Sequence, residues 1–77
     1  MIMRETILRI LQDIRPDIDF ENETGLISDG VLESFDLLSI IAAIGDATEV
    51  EINTAELQAE DFDSLDSIVH FVEQLKG

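Results

Sequence analysis

The sequence contains no cysteine, tryptophan or tyrosine, one proline, and four lysine or arginine residues among 77. The lack of cysteine excludes both a disulfide framework and a thiolate metal site. The longest unbroken apolar run covers 40–44, which is far shorter than a bilayer span requires. Arg4, Glu5 and Arg9 interrupt the apolar residues at the start, so we expect no secretory leader. These absences lead us to expect a cytoplasmic protein.

Acidic residues dominate the charge: eighteen Asp and Glu give a formal net charge of −14. The basic residues are Arg4, Arg9, Arg15 and Lys76, so 16–75 contains none. Nucleic-acid backbones and anionic membranes would repel such a chain, whereas basic proteins would be attracted to it. The length predicts one domain, 1–77, with room for a single small core, and we expect a monomer.

Hydrophobic spacing predicts an all-α fold, a small four-helix bundle of three longer helices plus a short third helix. The predicted helices cover 3–15, 34–48, 53–59 and 64–75. A long polar loop, 16–33, begins at Pro16, because the residue before a proline disfavours the α region. Asn53 is the predicted cap of the short helix, with Glu56 in the capping-box position.

Apolar stripes on the longer helices predict the core. The predicted core positions are Met3, Ile7, Ile10, Leu11, Ile14, Leu37, Ile40, Ile41, Ile44, Thr48, Leu65, Ile68, Val69, Val72 and Leu75. Further apolar residues in the first loop should hold that loop over the core; they are Ile18, Phe20, Leu26, Ile27, Val31 and Leu32. Phe35 and Leu38 lie on the opposite face of the second predicted helix. A face exposed only to solvent rarely carries two such residues, so we expect it to contact a partner.

Two features suggest chemistry but lack the residues that chemistry requires. Acidic residues alternate along 17–23, as in a calcium loop, yet Asn22 and Ser28 occupy the positions that need Gly and Glu. We therefore interpret this segment as a solvated loop that binds divalent cations weakly, and predict no metal site. His70 is the only histidine, in a chain too small to enclose a substrate. We predict a partly exposed helix histidine and no enzyme.

The most informative segment is 29–38, D-G-V-L-E-S-F-D-L-L, in which Ser34 begins a predicted helix after the glycine-containing loop. One interpretation makes Ser34 an ordinary N-cap whose Oγ accepts the amide of Leu37. The other presents its hydroxyl for attachment of a phosphate-linked group, which the N–H groups and dipole of a helix N-terminus stabilise. When its sequence context is ignored, a serine at the start of a helix is more often an N-cap than an attachment site.

The stretch Gly30-Val31-Leu32-Glu33-Ser34-Phe35-Asp36 resembles the phosphopantetheine attachment site of acyl carrier proteins, usually Gly-x-Asp-Ser-Leu at the start of the second of four helices. The resemblance extends over nearly the whole chain, in size, acidity, helix order, long first loop and lack of cysteine. It implies that Ser34 carries 4′-phosphopantetheine, transferred from coenzyme A by a phosphopantetheinyl transferase with Mg²⁺. The thiol of that arm would hold acyl groups as thioesters for fatty-acid or polyketide-type biosynthesis.

The resemblance also implies a recognition surface for loading and synthase enzymes with basic docking patches. Its predicted residues are Glu33, Phe35, Asp36, Leu38, Ala42, Asp46, Glu49 and Ile52. Glu33 replaces the usual Asp, and Ser39 and Gly45 replace acids common in fatty-acid carriers. A discrete aminoacyl, peptidyl or D-alanyl carrier is therefore an alternative. An alternative of another class is an acidic helical adaptor, with no prosthetic group, whose second helix docks into a groove on a basic protein.

A second triplet, Asp63-Ser64-Leu65, matches the Asp-Ser-Leu motif more literally than Glu33-Ser34-Phe35 does. The chain after Ser64 is long enough for one helix but not for a recognition helix and two more. No glycine loop precedes Ser64. We therefore predict that Asp63 or Ser64 caps the last helix and that Ser34 is the modified residue.

Overall fold

The computed structural model describes residues 3–55 and 57–77, and helices form all of the regular secondary structure in those ranges. The order is α1 (Met3–Ile14), α2 (Ser34–Thr48), a 3₁₀ helix (Ala59–Phe62) and α3 (Leu65–Lys76). The first helix packs against both α2 and α3, and the 3₁₀ helix packs against α3. None of the helices in these ranges has the length and hydropathy that crossing a bilayer requires. The all-α prediction is confirmed.

The core confirms the predicted stripes of the three longer helices. The fully or almost fully buried helix residues are Ile7, Leu11, Ile40, Ile44, Thr48, Leu65, Ile68 and Val72. The hydroxyl of buried Thr48 donates to the Ile44 carbonyl oxygen at 2.6 Å, so its polar atom is satisfied. The prediction for Leu75 is wrong, since its side chain is 44% exposed. Leu75 lies one turn beyond Val72, where the core ends.

The long first loop is held against the core, as predicted. Phe20, Leu26 and Leu32 are buried, and the Leu32 N–H donates to the Leu26 carbonyl oxygen at 2.8 Å. Gly25 permits a tight turn, because a Cβ there would collide with the Asp29 carboxylate. The Asp29 N–H closes that turn on the Gly25 carbonyl oxygen at 2.9 Å. These contacts fix the segment of the first loop that leads into α2.

The short third helix predicted at 53–59 is not found in its described residues, so the four-helix count is not confirmed. The Asn53 side chain accepts the Ala55 N–H at 3.0 Å, a local turn that competes with helix formation. The helical turn lies later, at the 3₁₀ helix, where fully buried Phe62 anchors it to the core. The predicted capping partner Glu56 lies outside the described residues.

The far end of α2 is fixed by contacts that involve α3 and the following loop. Lys76 Nζ donates to the Thr48 carbonyl oxygen at 2.9 Å, which joins the C-terminal ends of the two helices. Glu49 ends α2 in the left-handed region, with φ of 58°. A Cβ at Gly45 would lie 3.1 Å from the Val50 carbonyl oxygen, so glycine lets the chain turn back closely against α2.

Candidate functional site

The loop before α2 turns at a glycine and is anchored immediately afterwards. Gly30 has φ of +72°, a region that residues with a Cβ adopt at a cost. Its N–H donates to the Ile27 carbonyl oxygen at 3.1 Å. Leu32 is buried two residues later, whereas Glu33 and Ser34 are exposed. The chain therefore emerges from the core just before the helix begins.

Glu33, not Ser34, is the N-cap of α2. Glu33 has extended backbone angles and forms a reciprocal capping box with Asp36; the Glu33 N–H donates to Asp36 Oδ2 at 3.2 Å. The Leu37 amide donates to the Glu33 carbonyl oxygen at 3.0 Å, in the first regular helical bond. The alternative interpretation, in which Ser34 Oγ caps the Leu37 amide, therefore does not apply, because Ser34 is the first helical residue and Glu33 is the cap.

The consequence is an exposed serine at the first helical position. Because Glu33 and Asp36 form the capping box, the cap does not use the Ser34 hydroxyl. The first N–H groups of a helix have no carbonyl partner in the preceding turn, and they carry the positive end of the helix dipole. An anionic group esterified to Ser34 would therefore lie next to a favourable partial charge.

Arg15, just after α1, links the first loop to the start of α2. Its Nε and Nη2 donate to the two carboxylate oxygens of Asp17 at 3.0 and 2.9 Å. Its Nη1 donates to Asp36 Oδ2 at 2.5 Å. The hydrogen bonds that Arg15 donates to Asp17 and, next in size, to Asp36 raise the pKa of Arg15, and the bond from Arg15 lowers the pKa of Asp17. Sequence reasoning missed this bridge; the only signal was that Arg15 is the last basic residue before a long acidic stretch.

The outer face of α2 is apolar and acidic, as predicted. Phe35 is 77% and Leu38 60% exposed, on the side opposite the buried Ile40 and Ile44. The other predicted interface residues that are exposed are Glu33, Ala42, Asp46 and Glu49. Two predicted interface residues are less available. Ile52 packs partly against the core, and the side chain of Asp36, already bonded to Arg15, is only 13% exposed.

The second triplet has structural roles at all three positions. Ser64 is the N-cap of α3, as predicted: its Oγ accepts the Ser67 N–H at 3.1 Å. Leu65 is 2% exposed. The carboxylate of Asp63 accepts hydrogen bonds from the N–H groups of Ile27 and Ser28 and from the Ser28 hydroxyl, each at 2.8 Å. The bonds from Ser28, followed by that from Ile27, lower the pKa of Asp63.

The other two features from the sequence, His70 and the acidic loop 17–23, form neither a catalytic nor a metal-binding cluster among the residues that the structure describes. His70 is exposed on α3, as predicted, in an open groove shared with Ser67 and Phe71. Within residues 3–55 and 57–77, no group of three or more His, Asp and Glu side chains is placed to hold a metal ion. In the acidic loop, Asp19 accepts a hydrogen bond from the Asn22 amide at 2.7 Å.

A scan of the sequence against protein-family models found no match, and a search of curated proteins also found none. The function must therefore be inferred from the residues and their arrangement.

Proposed function

We propose that this chain is an acyl carrier protein in which Ser34 Oγ holds 4′-phosphopantetheine. The observation that carries the proposal is the exposed Ser34 at the first position of α2, with its cap supplied by Glu33. A serine that caps its own helix has a hydroxyl engaged in hydrogen bonding. The hydroxyl of Ser34 is free of that role and accessible to a modifying enzyme.

The surroundings of Ser34 suit a phosphodiester. The helix N-terminus attracts an anion through its N–H groups and dipole. The carboxylates of Glu33 and Asp36 oppose it, but the guanidinium of Arg15 pairs with Asp36 and offsets one of these charges. The exposed position also leaves a long arm free to extend into solvent.

Ser34 would act as the nucleophile in the loading step. Its Oγ would attack the phosphorus of coenzyme A that carries the pantetheine; the P–O bond to the nucleotide breaks, 3′,5′-ADP leaves, and the hydroxyl proton passes to a base of the transferase. Once attached, the arm supplies a thiol that carries acyl groups as thioesters. The chain has no cysteine of its own, so no internal thiol could exchange with that cargo.

The outer face of α2 is the proposed recognition surface. Exposed Phe35 and Leu38 offer apolar contacts, and the net charge of −14 would speed encounter with basic enzymes without requiring tight binding. The partners would be a phosphopantetheinyl transferase and acyl-loading and synthase enzymes with basic docking patches. Fatty-acyl, polyketide, aminoacyl and D-alanyl cargoes all fit, because these enzymes select the cargo. The role fits a cytoplasmic location, since a reducing compartment keeps the arm's thiol free, and we propose that the chain acts as a monomer.

The decisive experiment is intact-mass measurement after incubation with coenzyme A, Mg²⁺ and a broad-specificity phosphopantetheinyl transferase. We expect the mass of one phosphopantetheine to be added to the wild-type chain, and none to Ser34→Ala. The matched control is Ser64→Asn, which removes the other helix-start hydroxyl but retains a good N-cap; it should be modified like the wild type. Modification that persists in Ser34→Ala would contradict the assignment.

The exposed apolar pair Phe35 and Leu38 also fits the second candidate function, an acidic adaptor that uses α2 without a prosthetic group. The same experiment separates the two functions. No mass gain in the wild-type chain, with a transferase that modifies a known substrate in parallel, would favour the adaptor.

A further inference from the structure

Arg15 joins the end of α1 to the residues that begin α2. We propose that Arg15 is a positioning residue for the loading of Ser34, acting through Asp36 and the Glu33 amide. The inference rests on the proposed function, because it concerns the rate at which Ser34 is modified.

One carboxylate oxygen of Asp36 connects Arg15 to the backbone at Glu33. Asp36 Oδ2 accepts both Arg15 Nη1, at 2.5 Å, and the Glu33 N–H, at 3.2 Å. Glu33 directly precedes Ser34, so the Leu32–Glu33 peptide, one residue before the serine, is bonded to a carboxylate that the guanidinium holds. The two bonds to Asp17 orient the planar guanidinium and direct its remaining nitrogen at Asp36.

The bridge is better shielded from water than the ion pair between Arg4, near the start of α1, and Asp66, in the first turn of α3. The side chains of Arg15 and Asp36 are 26% and 13% exposed, whereas those of Arg4 and Asp66 are 42% and 82% exposed. Solvent screens the second pair more strongly. The two pairs join opposite ends of α1 to the first turns of α2 and α3, which makes Arg4 a matched control.

The loss of Arg15 would have two consequences at Ser34. The Asp36 carboxylate, which accepts the Glu33 N–H, would no longer be held by the guanidinium. The Leu32–Glu33 peptide just before the serine would therefore be less firmly fixed, and the serine would reach the reactive position less often. The carboxylate of Asp36 would also stand uncompensated beside the forming phosphodiester. The same extra negative charge would attract a basic transferase more strongly. The positioning role therefore predicts a lower kcat without a higher KM.

A merely structural role predicts the opposite pattern. If Arg15→Gln only lowered the fraction of folded chain, the concentration of usable substrate would fall, and the apparent KM would rise while kcat stayed the same. The split between kcat and KM therefore distinguishes the two roles, and a circular dichroism melt of each variant measures the folded fraction directly.

The experiment is steady-state loading by a purified transferase, with coenzyme A saturating and the carrier concentration varied. For Arg15→Gln we expect kcat to fall roughly three- to tenfold, with KM unchanged or lower. Arg15→Lys should be intermediate, because an ammonium keeps the charge but cannot bridge both carboxylates in the same planar geometry. Asp36→Asn should also lower kcat, and the double variant should be no slower than the slower single one. Arg4→Gln should match the wild type.

Unchanged kcat in Arg15→Gln, a rise in KM alone, or an equal fall in Arg4→Gln would each overturn the inference while leaving the carrier function in place. A wild-type chain that accepts no phosphopantetheine would instead overturn the proposed function, and the inference with it.

Discussion

Two serines stand beside the start of a helix in this chain, and the fold uses them differently. In Asp63-Ser64-Leu65, the acid holds the first loop, the serine caps α3 and the leucine is buried. In Glu33-Ser34-Phe35, the acid provides the cap, the serine is exposed and the phenylalanine is 77% exposed. The two serines differ by one position relative to their helices. Ser34 is the first residue of α2, whereas Ser64 immediately precedes the first residue of α3.

The comparison shows when a helix-start serine is available for chemistry. A serine at the N-cap satisfies an amide of its own helix, so its modification would cost stability. A serine one position further on is free when a neighbour takes over the cap, as Glu33 and Asp36 do here. Motif letters alone do not distinguish these cases, because both triplets contain an acid, a serine and a large apolar residue.

The largest expected contrast lies at the third residue of each triplet. Leu65→Ala should lower the free energy of unfolding by roughly 2–5 kcal/mol, because Leu65 is buried in the core. Phe35→Ala should change it by no more than about 0.5 kcal/mol, because the ring is mostly in solvent. Urea unfolding followed by circular dichroism measures both. An equal loss in the two variants would mean that Phe35 belongs to the core.

The serines themselves should show a smaller contrast. Ser64→Ala should cost about 1 kcal/mol, through loss of the bond to the Ser67 N–H, and Ser64→Asn should recover most of that loss. Ser34→Ala should stay within about 0.5 kcal/mol of the wild type. The same urea titrations test this. A cost at Ser34 as large as that at Ser64 would assign it a capping role after all.

The smallest effect should appear at Asp63, which is partly accessible to solvent. Its hydrogen bonds lower its pKa from an ordinary 3.8, so its ionised form is stabilised by folding. That contribution is complete above the unfolded pKa and is lost as pH falls below 3.8 through the folded pKa. Asp63→Asn should therefore be less stable than the wild type at neutral pH, with the gap narrowing in acid. A gap independent of pH would show that the carboxylate charge contributes nothing.

The three longer helices were predictable because each carries an apolar stripe at helical spacing. The short helix was not, since the Asn53 side chain competes for a nearby amide and buried Phe62 places the helical turn later in the chain. The exposure of Leu75 was also unpredictable, because periodicity identifies a face of a helix but not the point along it where the core ends.

One surface of the candidate site was predicted from local pattern: Phe35 and Leu38 lie on the outer face of α2 and are exposed. The role of Ser34 as the modified residue stays a prediction. The capping role of Glu33 was not predicted, because Glu is not a favoured N-cap residue and acts here by pairing with Asp36. The Arg15 bridge was missed, since it joins residues 21 positions apart in the sequence.

The sequence by itself determined the helical periodicity, the excess of negative charge and the presence of two serines near helix starts, because these are local or compositional properties. The glycine-containing loop and the length of chain after each serine also favoured Ser34 over Ser64, but only the tertiary structure decided how Ser34 is released from capping, through the Glu33–Asp36 pair. That decision depends on contacts between distant segments: Asp63 binds loop residues 35 and 36 positions away, and Arg15 holds the first turn of α2. Such contacts form only when the core brings the segments together, and no local pattern encodes them.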